Sequence, residues 1–247
     1  MALSTCATLP KNAATASACA AHAGPKVRLD VALVVSDIAL EPMTPTKDTM
    51  NPWNALNDHA LDRLFRQAHT AHAFAPDPIE RHTLHALYDL VKWGPTAFNA
   101  QPTRFVFVTS AAAKARLLPA LMVSNVPQVQ SAPVTVIVAH DLQFQRHLPE
   151  QFPAYNAKPL FDDNPALTEE TAKRNSALQG AYCILAARAL GLDVGVMSGF
   201  DAAKVDAEFF PDGQYRTNFL LNLGKADPKG VYPRGPRLPF DRVASVI

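Results

Sequence analysis

Apolar positions recur along the chain in two rhythms. In "DPIERHTLHALYDLVKW" (77–93), Leu84, Leu87 and Val91 fall on one helical face, with Pro78 ahead and Gly94-Pro95 as a stop. An earlier helix, capped by Asn57 or Asp58, carries Leu61, Leu64, Phe65 and Ala68 on one side. "TRFVFVTS" (103–110) alternates and is rich in Phe and Val, so it predicts a strand. "AAAKARLLPALMV" (111–123) is helical, with a kink or an end at Pro119. "APVTVIVAHD" (132–141) is a continuous apolar run and predicts a buried strand. The stretch 160–193 holds the longest helix, started by Asn164 or Thr168. It is buried through Leu178, Cys183, Ile184, Leu185, Ala187 and Leu190, with Gly191 at its left-handed C-terminal position. "VGVMSGF" (194–200) predicts a short strand and tight turn, followed by a helix near 202–209 and a strand in "RTNFLLNLGKAD" (216–227). Trp93 reads as a core residue, and "YPRGPRLPF" (232–240) as an irregular basic tail. Helices alternating with few strands predict a central sheet with helices around it, and the broad apolar face of the longest helix predicts a helix–helix dimer surface.

Residues 1–49 break this pattern. They are Ala/Thr/Ser-rich, lack an acidic residue before Asp30 and carry no continuous apolar signal core. "RLDVALVVSDIAL" (28–40) has the pattern of a short strand. The expectation is a poorly ordered extension over 1–49, with Met50 as the natural start, and a single globular domain over 50–247.

The 247 residues suffice for one domain with a substantial core. A net charge of +1 implies no nucleic-acid partner, and no apolar run is long enough to cross a membrane. Three cysteines without metal-type spacing argue against a zinc site or disulfide scaffold, and point to a reducing, cytoplasmic setting. Neither common glycine-rich nucleotide fingerprint is present. "KWGPTAFNAQPTRFVFV" (92–108) crowds turn-forming and amide-bearing residues into one helix-to-strand junction, more than a plain turn needs.

That segment, then "SNVPQVQSAPVTVIVA", "EETAKRNSALQGAYCILAARALGLDVGVMSGFD", "NFLLNLGKADPKG" and "RGPRLPF", occur in an order that resembles the FMN-dependent nitroreductases over about residues 58–245. Within that family the resemblance is to the malonic semialdehyde reductase branch, also known as NADH dehydrogenase/NAD(P)H nitroreductase. It implies an α+β fold with a central mixed sheet flanked by helices, and an entwined homodimer with two interfacial FMN sites. It also implies ping-pong hydride transfer from NADH or NADPH to a small-molecule acceptor.

The resemblance also assigns residues. His69, Thr70, Arg234 and Arg237 fall at the phosphate, with His69 replacing an arginine. Pro95, Thr96, Ala97 and Asn99 lie along the flavin, where Asn99 and Gln101 either read its edges or satisfy their own turn. Asn125 pairs with the pyrimidine edge. Gln128 and His72 stand at cofactor positions where relatives carry lysine (or, for His72, asparagine), which implies a lower flavin reduction potential. Met197, Ser198 and Gly199 form the turn beneath the ring. Val196 replaces a proline there, and the backbone N–H groups of Ser198 and Gly199 are the catalytic donors to N5 and O4. Arg174 and Asn175 lie on the substrate side, where Arg174 reads either as a carboxylate ligand or as part of a solvated helix face. No metal is implied. A different class of reading is a flavin-binding protein with weak or lost catalysis. A third keeps the fold but cleaves flavin or dehalogenates.

Overall fold

The structure, a computed structural model, describes residues 54–247. The expected extension over 1–49, including its strand over 28–40, lies outside the described residues. A four-stranded sheet runs in the order β1 (Thr103–Val108), β2 (Val134–Asp141), β4 (Tyr215–Gly224), β3 (Asp193–Met197). All three pairings between these strands are antiparallel. The α+β architecture is as expected. The mixed character of the sheet is confined to an isolated parallel bridge between Thr70 and Val194.

Strand β2 is buried along its whole length because both faces of the sheet are covered. Val134, Val136 and Val138 face α2 (Arg81–Val91) and α7 (Pro165–Ala189), packing with Leu87, Val91, Cys183 and Ala187. The alternate residues Ile137 and Ala139 face the other side. There they pack with Leu117 of α3 (Ala111–Leu117), Val129 of α4 (Val126–Ser131) and Val205 of α8 (Ala202–Phe209). The period of two along one strand thus feeds two cores. Each fully buried Val, Leu or Ile contributes about 1.5–3 kcal/mol to holding the layers. Two short helices, α5 (Leu148–Gln151) and α6 (Lys158–Asp162), close a smaller cluster around Phe144 and Phe161.

Local signals act largely as the pattern implies. Asn57 caps α1 (Asp58–Leu61), and Asn164 rather than Thr168 caps α7, each side-chain oxygen accepting a backbone N–H. α3 gives way to a 3-10 turn through Pro119, and Gly191 adopts φ +87 just past α7. The first helix is shorter than its apolar spacing implies. It ends in a π-helical turn (Asp62–Arg66) and buries no residue fully.

The facing of α7 differs from expectation. Cys183 and Ala187 are buried as expected, but Leu178 and Leu190 are exposed, and the helix buries Ala172, Asn175, Ser176, Gln179 and Gly180 in their place. Close approach to the sheet is the reason: a Cβ on Gly180 would lie 2.3 Å from Phe219 Cζ. Small and hydrogen-bonding residues therefore face inward, and Leu178 and Tyr182 face out. Trp93, expected in the core, is 76% exposed. A short α9 (Phe240–Val243) ends an exposed tail.

Candidate functional site

Two remote segments meet at the start of β3. The stretch 67–75 follows the π-turn and lies along β3, with Ala71 N–H donating to Val194 O at 3.0 Å. The tail returns to it: His72 N–H donates to Gly230 O at 2.9 Å, and the His72 and Tyr232 rings are 5.1 Å apart. The result is a cleft of about 350 Å³ whose lining includes His69, Thr70, His72, Arg188, Arg234 and Arg237. All five sequence-predicted residues of the 69–72 and 234–237 segments are thereby brought together.

Arg188 was not singled out from the sequence, because an arginine late in a helix reads as solvated. It donates to Leu64 O at 2.9 Å. Arg234 donates to Arg66 O at 2.9 Å and also to Ala68 O, so two guanidinium groups hold the carbonyl end of the first helix. Burial, followed by the charge of Arg234, lowers the Arg188 pKa from its ordinary value, with Asp193 acting in the opposite direction. Crowded cations of this kind favour an anion. Arg237 donates to Gly235 O and Pro236 O within its own turn.

His69 is tied through Nδ1 to Tyr232 O at 3.1 Å. A carbonyl oxygen only accepts, so Nδ1 carries the proton and Nε2 of the neutral ring carries the lone pair.

At the far end of β3 lies a second constellation. The Asn125 amide donates to Gly199 O at 2.8 Å and accepts from Gln128 Nε2 at 3.3 Å. Met122 N–H also donates to Gly199 O, at 3.0 Å. A Cβ on Gly199 would fall 2.5 Å from Asn125 Nδ2, so the glycine is required by this side chain. Among the described residues, neither Ser198 nor Gly199 donates a backbone hydrogen bond, which leaves two adjacent donors at an accessible turn. Asn125 keeps one N–H and one acceptor lone pair. Met197 does not join this surface: its side chain is buried with Val108, Ile137 and Leu220. The exposed part of this turn therefore begins at Ser198. From Val194 to Ser198 the strand advances about 13 Å. That span separates a cationic cleft from a pair of free N–H donors.

The loop 95–101 resolves differently. Asn99 Nδ2 donates to Gln151 O at 3.0 Å, and Gln101 Nε2 bridges Asn99 Oδ1 and Gln151 Oε1. The crowded amides thus stabilise the loop itself. They do so because Phe98, Asn99 and Gln101 all take positive φ (53, 49 and 42), a region that side chains disfavour. Asn175, assigned to the substrate side, is buried. Its Oδ1 accepts Ala97 N–H at 2.9 Å and its Nδ2 donates to Thr171 O at 2.8 Å, so it positions the loop and has no accessible face. Pro95 and Thr96 share that loop, with Thr96 Oγ1 accepting Gln101 N–H at 3.2 Å. Arg174 pairs with Glu170 one turn away on the exposed side of α7.

Among the described residues no group of three His, Cys, Asp or Glu is placed to hold a metal, and no helix is long and apolar enough to cross a membrane.

Comparison with known proteins bears on this arrangement. Residues 65–225 match the Nitroreductase family. The chain is 55% identical over 194 residues to the "Putative NADH dehydrogenase/NAD(P)H nitroreductase" of Rhodopseudomonas palustris (strain TIE-1), covering 78% of this chain and 99% of that one. A protein of the same description from Xanthomonas oryzae pv. oryzae (strain PXO99A) is 57% identical over 191 residues, covering 77% and 97%. In fold, the chain is similar to the crystal structure of a "putative nitroreductase in complex with FMN" from Exiguobacterium sibiricum 255-15. The TM-score is 0.69 and the identity 21%, covering 78% of this chain and 98% of that one.

Proposed function

This chain belongs to the nitroreductase family, and on that premise we propose that it is an FMN-dependent NAD(P)H oxidoreductase. The acceptor we favour is malonic semialdehyde, reduced to 3-hydroxypropionate, or a similar small aldehyde, nitro compound or quinone. One observation carries the reading: a cationic cleft and a pair of free backbone donors sit at opposite ends of one short strand, β3. A phosphate at one end and a polar ring edge at the other match that chemistry.

The chemistry supplied by bound FMN would be hydride transfer from the nicotinamide to the acceptor. The chain's own residues bind, orient and stabilise. Arg188, Arg234 and Arg237, with the Thr70 hydroxyl, hold the phosphate as cations and donor. The Ser198 and Gly199 N–H groups would serve N5 and O4, where charge develops, without reorganising. Asn125 keeps that turn in place and offers its spare N–H and lone pair to the pyrimidine edge, with Gln128 fixing its rotamer. The 95–101 loop, pinned by Asn175, lies beside the flavin. The proton for an aldehyde oxygen would come from water, because His72 lines the phosphate cleft at the other end of β3. The proposed assembly is a homodimer. Leu178 and Tyr182 on the outer face of α7, Trp93, and the tail residues Leu238 and Phe240 are the exposed apolar surface a second copy would cover.

The test is spectroscopic. The purified chain should be yellow and should bleach anaerobically with NADH or NADPH, and malonic semialdehyde should restore the colour faster than a nitrofuran does. Yellow protein that neither nucleotide bleaches would favour a flavin-binding protein with lost catalysis. His69, His72 and Gln128, none of them a fixed cation, motivate that second reading.

A further inference from the structure

We propose that phosphate capture in the cleft is proton-linked, with His69 as the titrating group. This rests on the FMN reading above and adds a pH dependence to it. The Nδ1–H of His69 is committed to Tyr232 O at 3.1 Å. Only Nε2 can gain or lose a proton without breaking that bond. In the neutral ring Nε2 is a lone pair, which repels a phosphate oxygen. In the imidazolium it is a charged donor, which binds one.

The surrounding groups sharpen the choice. From the first helix comes Arg63, from α7 Arg188, from the tail Tyr232, Arg234 and Arg237, and from its own segment His72. Asp193 of β3 is the acidic member, and it accepts Ala226 N–H at 2.8 Å. Without an anion, the arginines give this cleft a positive field. A bound phosphate dianion reverses that field, so binding raises proton affinity at Nε2 and, reciprocally, protonation raises affinity for phosphate. Because the bound anion favours the protonated ring, the added affinity is present at the acid end and is lost as pH rises and Nε2 gives up its proton. The phosphate itself is mainly dianionic above about pH 6, so the window for the effect opens there.

The experiment titrates the full chain, stripped of flavin, with FMN and with riboflavin, following fluorescence quenching from about pH 6.5 to 8.5. Calorimetry in two buffers of different ionisation enthalpy counts protons. FMN should bind about tenfold more weakly at the alkaline end, the ratio for one charge-assisted hydrogen bond gained or lost. Proton uptake should accompany FMN binding near neutrality, and riboflavin should show neither effect. His69→Gln should bind FMN weakly and without slope, His69→Arg tightly and without slope, and His72→Gln should keep the slope. The proposal is overturned if His69→Gln retains the wild-type slope, if riboflavin shares it, or if His72→Gln alone abolishes it. FMN binding with a flat profile overturns only the proton linkage. Binding of neither flavin at any pH overturns the cofactor reading beneath it.

Discussion

Replacing Gly199 with alanine tests how the turn after β3 is built. The added methyl would lie 2.5 Å from Asn125 Nδ2 and 2.9 Å from Met122 Sδ, both well inside van der Waals contact. The backbone there is not in the glycine-only region, so the effect is steric. Met122 is exposed and can swing away, but the Asn125 amide is held at 2.8 Å to Gly199 O. To clear the methyl it must move about 1 Å, which breaks that bond. Loss of one hydrogen bond is worth about 1 kcal/mol and overpacking about 1–3 kcal/mol. We expect a total near 2–4 kcal/mol, or a Tm lower by about 5–10 °C for a domain of this size. The discriminating assay is a double-mutant cycle with Asn125→Ala, read by thermal and urea unfolding. Removing the amide first should relieve most of the penalty, leaving a coupling of about 1 kcal/mol or more. Strict additivity of the two substitutions would refute the reasoning, because Gly199 would then be glycine for a cause other than Asn125.

Three further outcomes follow from contacts elsewhere. Asn175→Ala leaves Ala97 N–H without its acceptor; it should cost about 1–3 kcal/mol and raise amide exchange across 95–101, with no local rise counting against the pinning role. Asp141 is fully buried and accepts from Arg104 (2.6 Å), Gln143 N–H (2.8 Å) and Gln214 (3.2 Å); Asp141→Ala should lower stability by about 3 kcal/mol in urea unfolding, and a change within experimental error would contradict its role as a hub. His140 is buried with neither ring nitrogen bonded among the described residues, and burial lowers its pKa. Its unfolded value is near 6.5, so stability should be full above that pH and fall as acid approaches the lower folded value; His140→Leu should flatten the urea midpoint between about pH 5 and 7, and an unchanged slope would acquit His140.

The strands were legible because their pattern is one-dimensional. Alternation marks 103–108, and an unbroken apolar run marks 134–141, the strand covered on both faces. The facing of α7 was legible only at Cys183 and Ala187, because apolar residues mark a buried helix face only where there is room for them. Here the sheet approaches Gly180 too closely, so Gln179 and Asn175 face inward and Leu178 faces out. The union of 69–72 with 232–237 joins segments some 160 positions apart through bonds such as His69 to Tyr232 O. Composition and periodicity carry no signal of it, and the ordered motifs of the family resemblance supplied it. The loop around Asn99 stayed open in the sequence because amides that can read a ligand can equally hold a strained backbone, and the partner that takes up its Gln101 amide, Gln151, lies 50 residues away. Arg188 was hidden for the opposite reason, a cation on a helix that looks like any solvated one.

The central claim is that the cationic cleft and the Ser198–Gly199 turn are two ends of one FMN site. Hydrogen–deuterium exchange of the full chain, with and without FMN, tests it most directly. The account predicts slower exchange together at residues 69–72, 198–199 and 234–238, appearing at the same FMN concentration. Protection confined to one end, or to segments remote from both, would contradict it.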